Sequence, residues 1–198
     1  MPGRNRRRVE VVSVRVTGGE FKGRILNTVT GLSARPTSSA VRNAMFNILG
    51  DYVPEAKVAD FFCAGGTLGI EALSHGASEC CFVDNGFKAV KALKENIKML
   101  GIEERARVIS SNVLTSFPLM EETGLRFDII FADPPYKKPL VTPLLKKLRL
   151  SSVIKENTIL VLECSSRDSI KFPDGIEILK ERKSGDTAVY FISFDKKR

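Results

Sequence analysis

The residues with the most to offer chemically are Asp133-Pro134-Pro135-Tyr136, which directly follow the apolar run Ile129-Ile130-Phe131. Two adjacent prolines fix φ and remove two backbone donors, so the turn is rigid. The Asp133 carboxylate and the Pro134 carbonyl can then be aimed together as acceptors. An exocyclic amino group on a nucleobase offers two hydrogens to such a pair, and Tyr136 supplies a flat face on which an extruded base stacks. A second cluster begins at Asp60-Phe61-Phe62 and continues Cys63-Ala64-Gly65-Gly66-Thr67-Leu68-Gly69. Gly66 and Gly69 keep the last two positions of a G-x-G-x-x-G pattern. Such a turn lets a backbone approach a ligand at a helix N-terminus. Asp84 ends the next apolar run, where an acid accepts hydrogen bonds from ribose hydroxyls. Asn112 follows a third run.

Other chemistries are poorly supplied. Cys63, Cys80, Cys81 and Cys164 show no C-x-x-C spacing, and His75 is the single histidine. The thiols read as small hydrophobes in a reducing compartment, and no metal site is expected.

These residues need elements to hold them. The chain has 198 residues, 43% hydrophobic and 27% charged, near the average for one globular domain. No apolar run approaches a membrane span, and no signal peptide is read, so a cytoplasmic protein is expected. From Lys57 onward, short apolar strands alternate with helical patterns. Strands are expected at 58–62, 79–83, 105–110, 127–132 and 158–164, with helices near 67–74, 87–100 and 140–150. A final antiparallel pair is expected at 176–183 and 188–194. This pattern predicts an α/β, Rossmann-like, mostly parallel seven-stranded sheet whose last strand is antiparallel. Ligands in such sheets lie at the carboxyl ends of the strands. That rule selects the turn after Phe62, Asp84, Asn112 and Asp133 to Tyr136.

Upstream, residues 1–8 read as a disordered basic tail and 9–35 as a basic β-hairpin and loop. In the hairpin, strands at 9–17 and 21–26 flank Gly18-Gly19. A leading helix opens at Pro36-Thr37-Ser38-Ser39 and ends at Gly50; residues 36–198 form the catalytic domain. The net charge is +8, and residues 1–42 hold nine Lys/Arg against two acids. Almost all of the excess therefore lies at one end, which points to a polyanion-binding element. A solubilising tail is the alternative.

The order of these motifs resembles the class I S-adenosylmethionine-dependent methyltransferases that modify exocyclic amines. Gly18-Gly19-x-x-Lys22-Gly23-Arg24, Arg35-Pro36-Thr37, Val41-Arg42, Phe46-Asn47-Ile48-Leu49 and Leu68-Gly69-x-Glu71-Ala72-Leu73-Ser74 narrow the likeness. With them the chain resembles the RsmD family of bacterial 16S rRNA guanine-N2 methyltransferases, from about Val14 to Phe194. The resemblance implies S-adenosylmethionine as cofactor and ribosomal RNA or a small-subunit assembly particle as partner; the lack of a spare apolar helix face favours a monomer. It implies that Asp60, Gly65, Gly66 and Gly69 hold the methionine part, Asp84 the ribose, and Asn112 and Val113 the adenine. Asp133, Pro134 and Tyr136 would hold the target base, and Arg15, Lys22, Arg24 and Arg35 the RNA. One departure stands out: the family's turn reads Ala-Gly-Ser-Gly, whereas this chain places Ala64 where a glycine is usual. An adenine-N6 methyltransferase, an inactive RNA-binding relative and a nicotinamide-dependent oxidoreductase are the alternative readings; only the last leaves Asp-Pro-Pro-Tyr and the basic arm without a role.

Overall fold

A computed structural model of the chain describes residues 10–30, 37–135 and 139–195. Two strands, β1 (Glu10–Arg15) and β2 (Ile25–Thr30), form an antiparallel pair of their own. Helix α1 (Ser39–Leu49) follows. Its N-cap, Ser38, accepts from the Val41 N–H, and Gly50 stops it at φ 45°. The remaining order is β3 (Lys57–Phe61), α2 (Thr67–Ser74), β4 (Glu79–Asp84), α3 (Phe87–Leu100), β5 (Ala106–Ser110), α4 (Phe117–Glu122), β6 (Phe127–Ala132), α5 (Val141–Leu150), β7 (Ile154–Ser165), β8 (Ile176–Ser184) and β9 (Thr187–Phe194).

The seven later strands make one sheet in the order β5-β4-β3-β6-β7-β9-β8. All pairs from β5 to β7 are parallel, and β9 runs antiparallel between β7 and β8. The expected architecture is therefore present. Its central strands are mostly apolar because both faces are covered. Val58, Ile129 and Val161 face a core made with α1, α2 and α3; Ala59, Ile130, Leu160 and Leu162 face one made with α4 and α5. The chain reverses direction across the sheet beside β3, so the crevice at the switch point opens at the carboxyl ends of β3, β4 and β6.

Three elements differ from the sequence reading. The second hairpin strand starts at Ile25, not Phe21, and Gly18-Gly19 is not a two-residue turn. Segment 16–24 instead follows the end of α2. The buried Glu71 carboxylate accepts from the Thr17 N–H (2.8 Å), the Thr17 hydroxyl (2.7 Å) and the Gly18 N–H (2.8 Å). The Ser74 hydroxyl accepts from the Phe21 N–H at 2.9 Å. These acceptors take the donors that a longer ladder would use. Helix α4 is too short for periodicity to reveal. β7 begins four residues early because the Thr158 hydroxyl accepts from the Lys155 N–H at 2.6 Å and donates to the Phe127 carbonyl at 2.7 Å, carrying the pairing across an irregular register.

The hairpin is joined to the domain by polar contacts. Asn96 of α3 accepts from the Asn27 N–H at 2.9 Å and donates to the Asn27 and Gly65 carbonyls at 2.7 and 2.9 Å. Glu71 also meets Arg42 of α1 at 3.5 Å, with both side chains about 1% exposed. One carboxylate thus ties segment 16–24, α1 and α2 together. Among the described residues no helix is long and apolar enough to cross a membrane.

Candidate active site

Each strand of the central sheet delivers one polar group to the crevice. Asp60 lies on β3, opposite Phe131 of β6, and is 2% exposed. Its carboxylate accepts from the Gly69 N–H on α2 at 2.8 Å. Burial pushes its pKa up to about 7, against the pull of that N–H and with a further push from Asp84. Asp84 is half-buried at the end of β4. Its two oxygens accept from the Ala64 N–H (2.9 Å) and the Gly86 N–H (2.7 Å). A carboxylate has about four lone-pair sites. Two are therefore committed to shaping the turn, and two are left for a ligand with adjacent hydroxyls. The site's acceptor set fits the ribose of a nucleoside cofactor on this ground.

The glycines serve the protein's own packing. A Cβ at Gly69 would lie 2.4 Å from Phe82, and one at Gly66 would lie 2.4 Å from Leu93. A Cβ at Gly65 would lie 2.5 Å from the Asn27 carbonyl and 2.7 Å from the Thr28 Cα, both backbone atoms of the hairpin. The Gly65 N–H also donates to the Thr28 hydroxyl at 3.1 Å. The turn can be this tight only because β2 lies directly against it. Ala64, the departure from the family pattern, sits at φ 46°, in the left-handed region that favours glycine.

Asp133 follows β6, and its N–H donates to the Phe61 carbonyl at 3.4 Å. It is half-buried, with Pro134 buried behind it. Alternation along the strands puts Asp60, Asp133 and Glu163 on the same face of the sheet. Burial, then Glu163 and Asp60, hold the Asp133 carboxyl well above the usual carboxylate range. A cleft lined by Thr28, Thr37, Asp60, Ala64, Thr67 and Asp133 joins Asp60 to Asp133.

The remaining sequence-predicted residues fall as follows. Asn112 is exposed after β5, and its side-chain oxygen accepts from the Leu114 N–H at 2.9 Å, leaving its amide N–H groups for a ligand edge. Val113 is 2% exposed and packs in the core with Phe117 and Met120. Arg15 and Arg24 are exposed on the hairpin; each spends a guanidinium N–H on a backbone carbonyl, Gly23 at 2.8 Å and Met99 at 3.2 Å. Lys22 is exposed between them. Tyr136, Arg35 and the tail at 1–8 lie outside the described residues. Burial raises the thiols, Cys81 and Cys164 to about 12, and no metal-binding cluster occurs among the described residues.

Sequence reasoning missed Thr28 and Thr37 as cleft walls, and Glu163. Glu163 is 2% exposed and accepts from the Thr37 hydroxyl at 2.7 Å. The available clue was an acid ending the apolar run 159–162.

Fold and strand-end acids together define a Rossmann-like methyltransferase architecture. Within it, the chain belongs to the family described as Conserved hypothetical protein 95, whose model matches residues 14–193. This is the RsmD family that the motifs resemble. Ribosomal RNA small subunit methyltransferase D of Haemophilus influenzae is 30% identical, covering 87% of this chain and 89% of that protein. YlbH of Bacillus subtilis is 37% identical over 150 residues, 76% of this chain and 82% of that protein. The solved structure of yhhF from Escherichia coli superposes with a TM-score of 0.81 at 25% identity, covering 94% of this chain and all of that one.

Proposed function

We propose that this chain transfers a methyl group from S-adenosylmethionine to the exocyclic N2 of a guanine in small-subunit ribosomal RNA. The observation that carries this reading is Asp133, half-buried before two prolines on the face that also bears Asp60. The names of the relatives support rRNA as the substrate class. Such a substrate implies action in the bacterial cytoplasm, on rRNA or on an assembling small subunit.

S-adenosylmethionine supplies a methyl group already activated by its sulfonium. Asp84 accepts from the ribose hydroxyls, and Asp60 faces the positively charged methionine part. Asn112 offers its amide to the adenine edge. Asp133 and the Pro134 carbonyl accept the two N–H groups of the target amine. That nitrogen's lone pair is delocalised into the ring, and holding both hydrogens favours a more tetrahedral, more nucleophilic nitrogen in line with the methyl group; once methylated it is strongly acidic and gives up one of those protons. Asp133 becomes a full acceptor only when ionised, so the rate rises with pH until its raised pKa is passed. Tyr136 stacks on the extruded base, while Arg15, Lys22, Arg24 and Arg35 meet the RNA.

The test is mass spectrometry of small-subunit rRNA nucleosides from cells with and without the protein. N2-methylguanosine should disappear with the gene. Loss of N6-methyladenosine instead would refute the guanine assignment. With purified protein, Asp133→Ala should keep cofactor affinity and slow methylation on the order of 10²-fold. A normal rate, or a loss traced to cofactor binding, would refute the role.

A further inference from the structure

A second surface, on the α1 side of the outer strands, has chemistry the active site does not use. A groove runs between α1 and the outer strands β8 and β9. Its α1 wall is Ala40, Val41, Ala44 and Ile48, and its opposite rim carries Lys180 and Arg182. No acidic residue lines it.

The register fixes how this rim relates to the candidate catalytic group. Glu163 of β7 pairs with Val189 of β9, which pairs with Arg182 of β8. Asp133 continues β6 level with Glu163, since Ala132 pairs with Leu162. At about 4.8 Å per strand, Arg182 lies about 15 Å from Asp133. Val189 and Phe191 pack under α1, so their partners Arg182 and Lys180 project toward the same face. Lys183 points the other way and pairs with Glu181 at 3.0 Å. Among the described residues, no ion pair engages Lys180 or Arg182, whereas Lys57, Lys155 and Arg167 are each paired within 3 Å. The groove also begins where α1 begins, next to Thr37 of the catalytic cleft.

We infer that this groove carries the single-stranded RNA flanking the target nucleotide, with Lys180 and Arg182 on its phosphates and the α1 wall against its sugars and bases. The inference rests on the methyltransferase reading above. Charge selects this occupant. An unpaired cationic rim over a small-residue apolar wall suits a chain with a polyanionic backbone and apolar faces. A second copy of this chain, at net charge +8, would bring more positive charge to a positive rim.

The test uses the full chain and a 12-nucleotide single-stranded RNA spanning the modified site, with small-subunit particles as a second ligand. Lys180→Ala/Arg182→Ala is compared with Lys91→Ala/Lys94→Ala, which removes equal charge from the outer face of α3. Each phosphate contact on a single strand contributes about 0.7 to the slope of log K against log salt, which is about fivefold in affinity at 0.1 M salt. The groove variant should therefore lose about 1.4 of slope and roughly 25-fold in RNA affinity at 0.1 M salt. Its S-adenosylmethionine affinity should not change, and the α3 variant should bind RNA as wild type does. Wild-type slope in the groove variant, or an equal loss in the α3 variant, overturns the groove while leaving the proposed function standing. Weaker binding to particles with unchanged RNA binding assigns the groove to a ribosomal protein and also overturns it. A wild-type protein that neither binds RNA nor methylates it overturns the function, and the groove falls with it.

Discussion

Asp84 offers the most quantitative test of the cofactor site, because its lone pairs can be counted. Two of about four already accept from the Ala64 and Gly86 N–H groups at 2.9 and 2.7 Å. The other two are assigned to the ribose hydroxyls. Hydrogen bonds to a charged group are worth about 1.5–3 kcal/mol each. Asp84 is half-buried, so the lower end applies, and two bonds come to about 3 kcal/mol. That is roughly 100-fold in affinity at 1.4 kcal/mol per decade. Asp84→Ala should weaken S-adenosylmethionine binding by this factor in calorimetry. The same substitution also frees two loop donors, so looseness of the turn must be separated from loss of the ribose contact. A 2′-deoxy analogue of the cofactor makes the separation. Wild type should discriminate against it by about tenfold for the one bond lost, and Asp84→Ala should not discriminate at all. If both proteins discriminate equally, Asp84 only shapes the turn and the assignment is wrong.

Asp60→Asn should alter the pH dependence of stability. The folded-state pKa of Asp60 is raised from 3.8 to about 7. Its contribution to stability is therefore fully present below about pH 4 and is lost as pH rises through 7, by at most about 4 kcal/mol. An asparagine still accepts from the Gly69 N–H, so thermal melts between pH 4 and 8 should fall less steeply in the variant; parallel curves would contradict the burial argument. Glu71→Ala leaves buried Arg42 without its counter-ion and the Thr17 and Gly18 N–H groups without their acceptor, at a cost of about 3–5 kcal/mol. The amides of segment 16–24 should then exchange faster with solvent, and an unchanged melting temperature would rule out the carboxylate as a tie. Gly65→Ala forces a Cβ against the Asn27 carbonyl at 2.5 Å, so β2 must yield at roughly 1–3 kcal/mol; a variant with wild-type melting and cofactor affinity would show that the turn and hairpin are not in hard contact.

The Rossmann sheet was legible because its signals are local. Buried strands read as apolar runs, and the stripe Val90, Leu93 and Ile97 fixes α3 whatever its surroundings. Asp60, Asp84 and Asp133 were legible because this fold places ligands at strand ends. The hairpin was read less well, because its course is set by Glu71 and Ser74, more than fifty residues away, and no window of sequence contains both partners. The same distance hid Thr28, whose hydroxyl matters only once Gly65 is beside it. Gly65, Gly66 and Gly69 were found for a ligand's sake, yet the atoms that would meet their Cβ positions belong to Asn27, Leu93 and Phe82.

Asn96 joins Asn27 of the hairpin to Gly65 of the glycine turn through one amide group. That bridge bears on how such enzymes could acquire new targets. An arm stitched to the turn in this way is not an exchangeable cassette. Grafting a relative's hairpin onto this chain would import a new outer surface together with a mismatched inner one, and the turn would be distorted along with the arm. The outer surface can change at exposed positions such as Lys22 and Arg24 one at a time, with Asn27, Thr28, Asn96 and Gly65 inherited as a set.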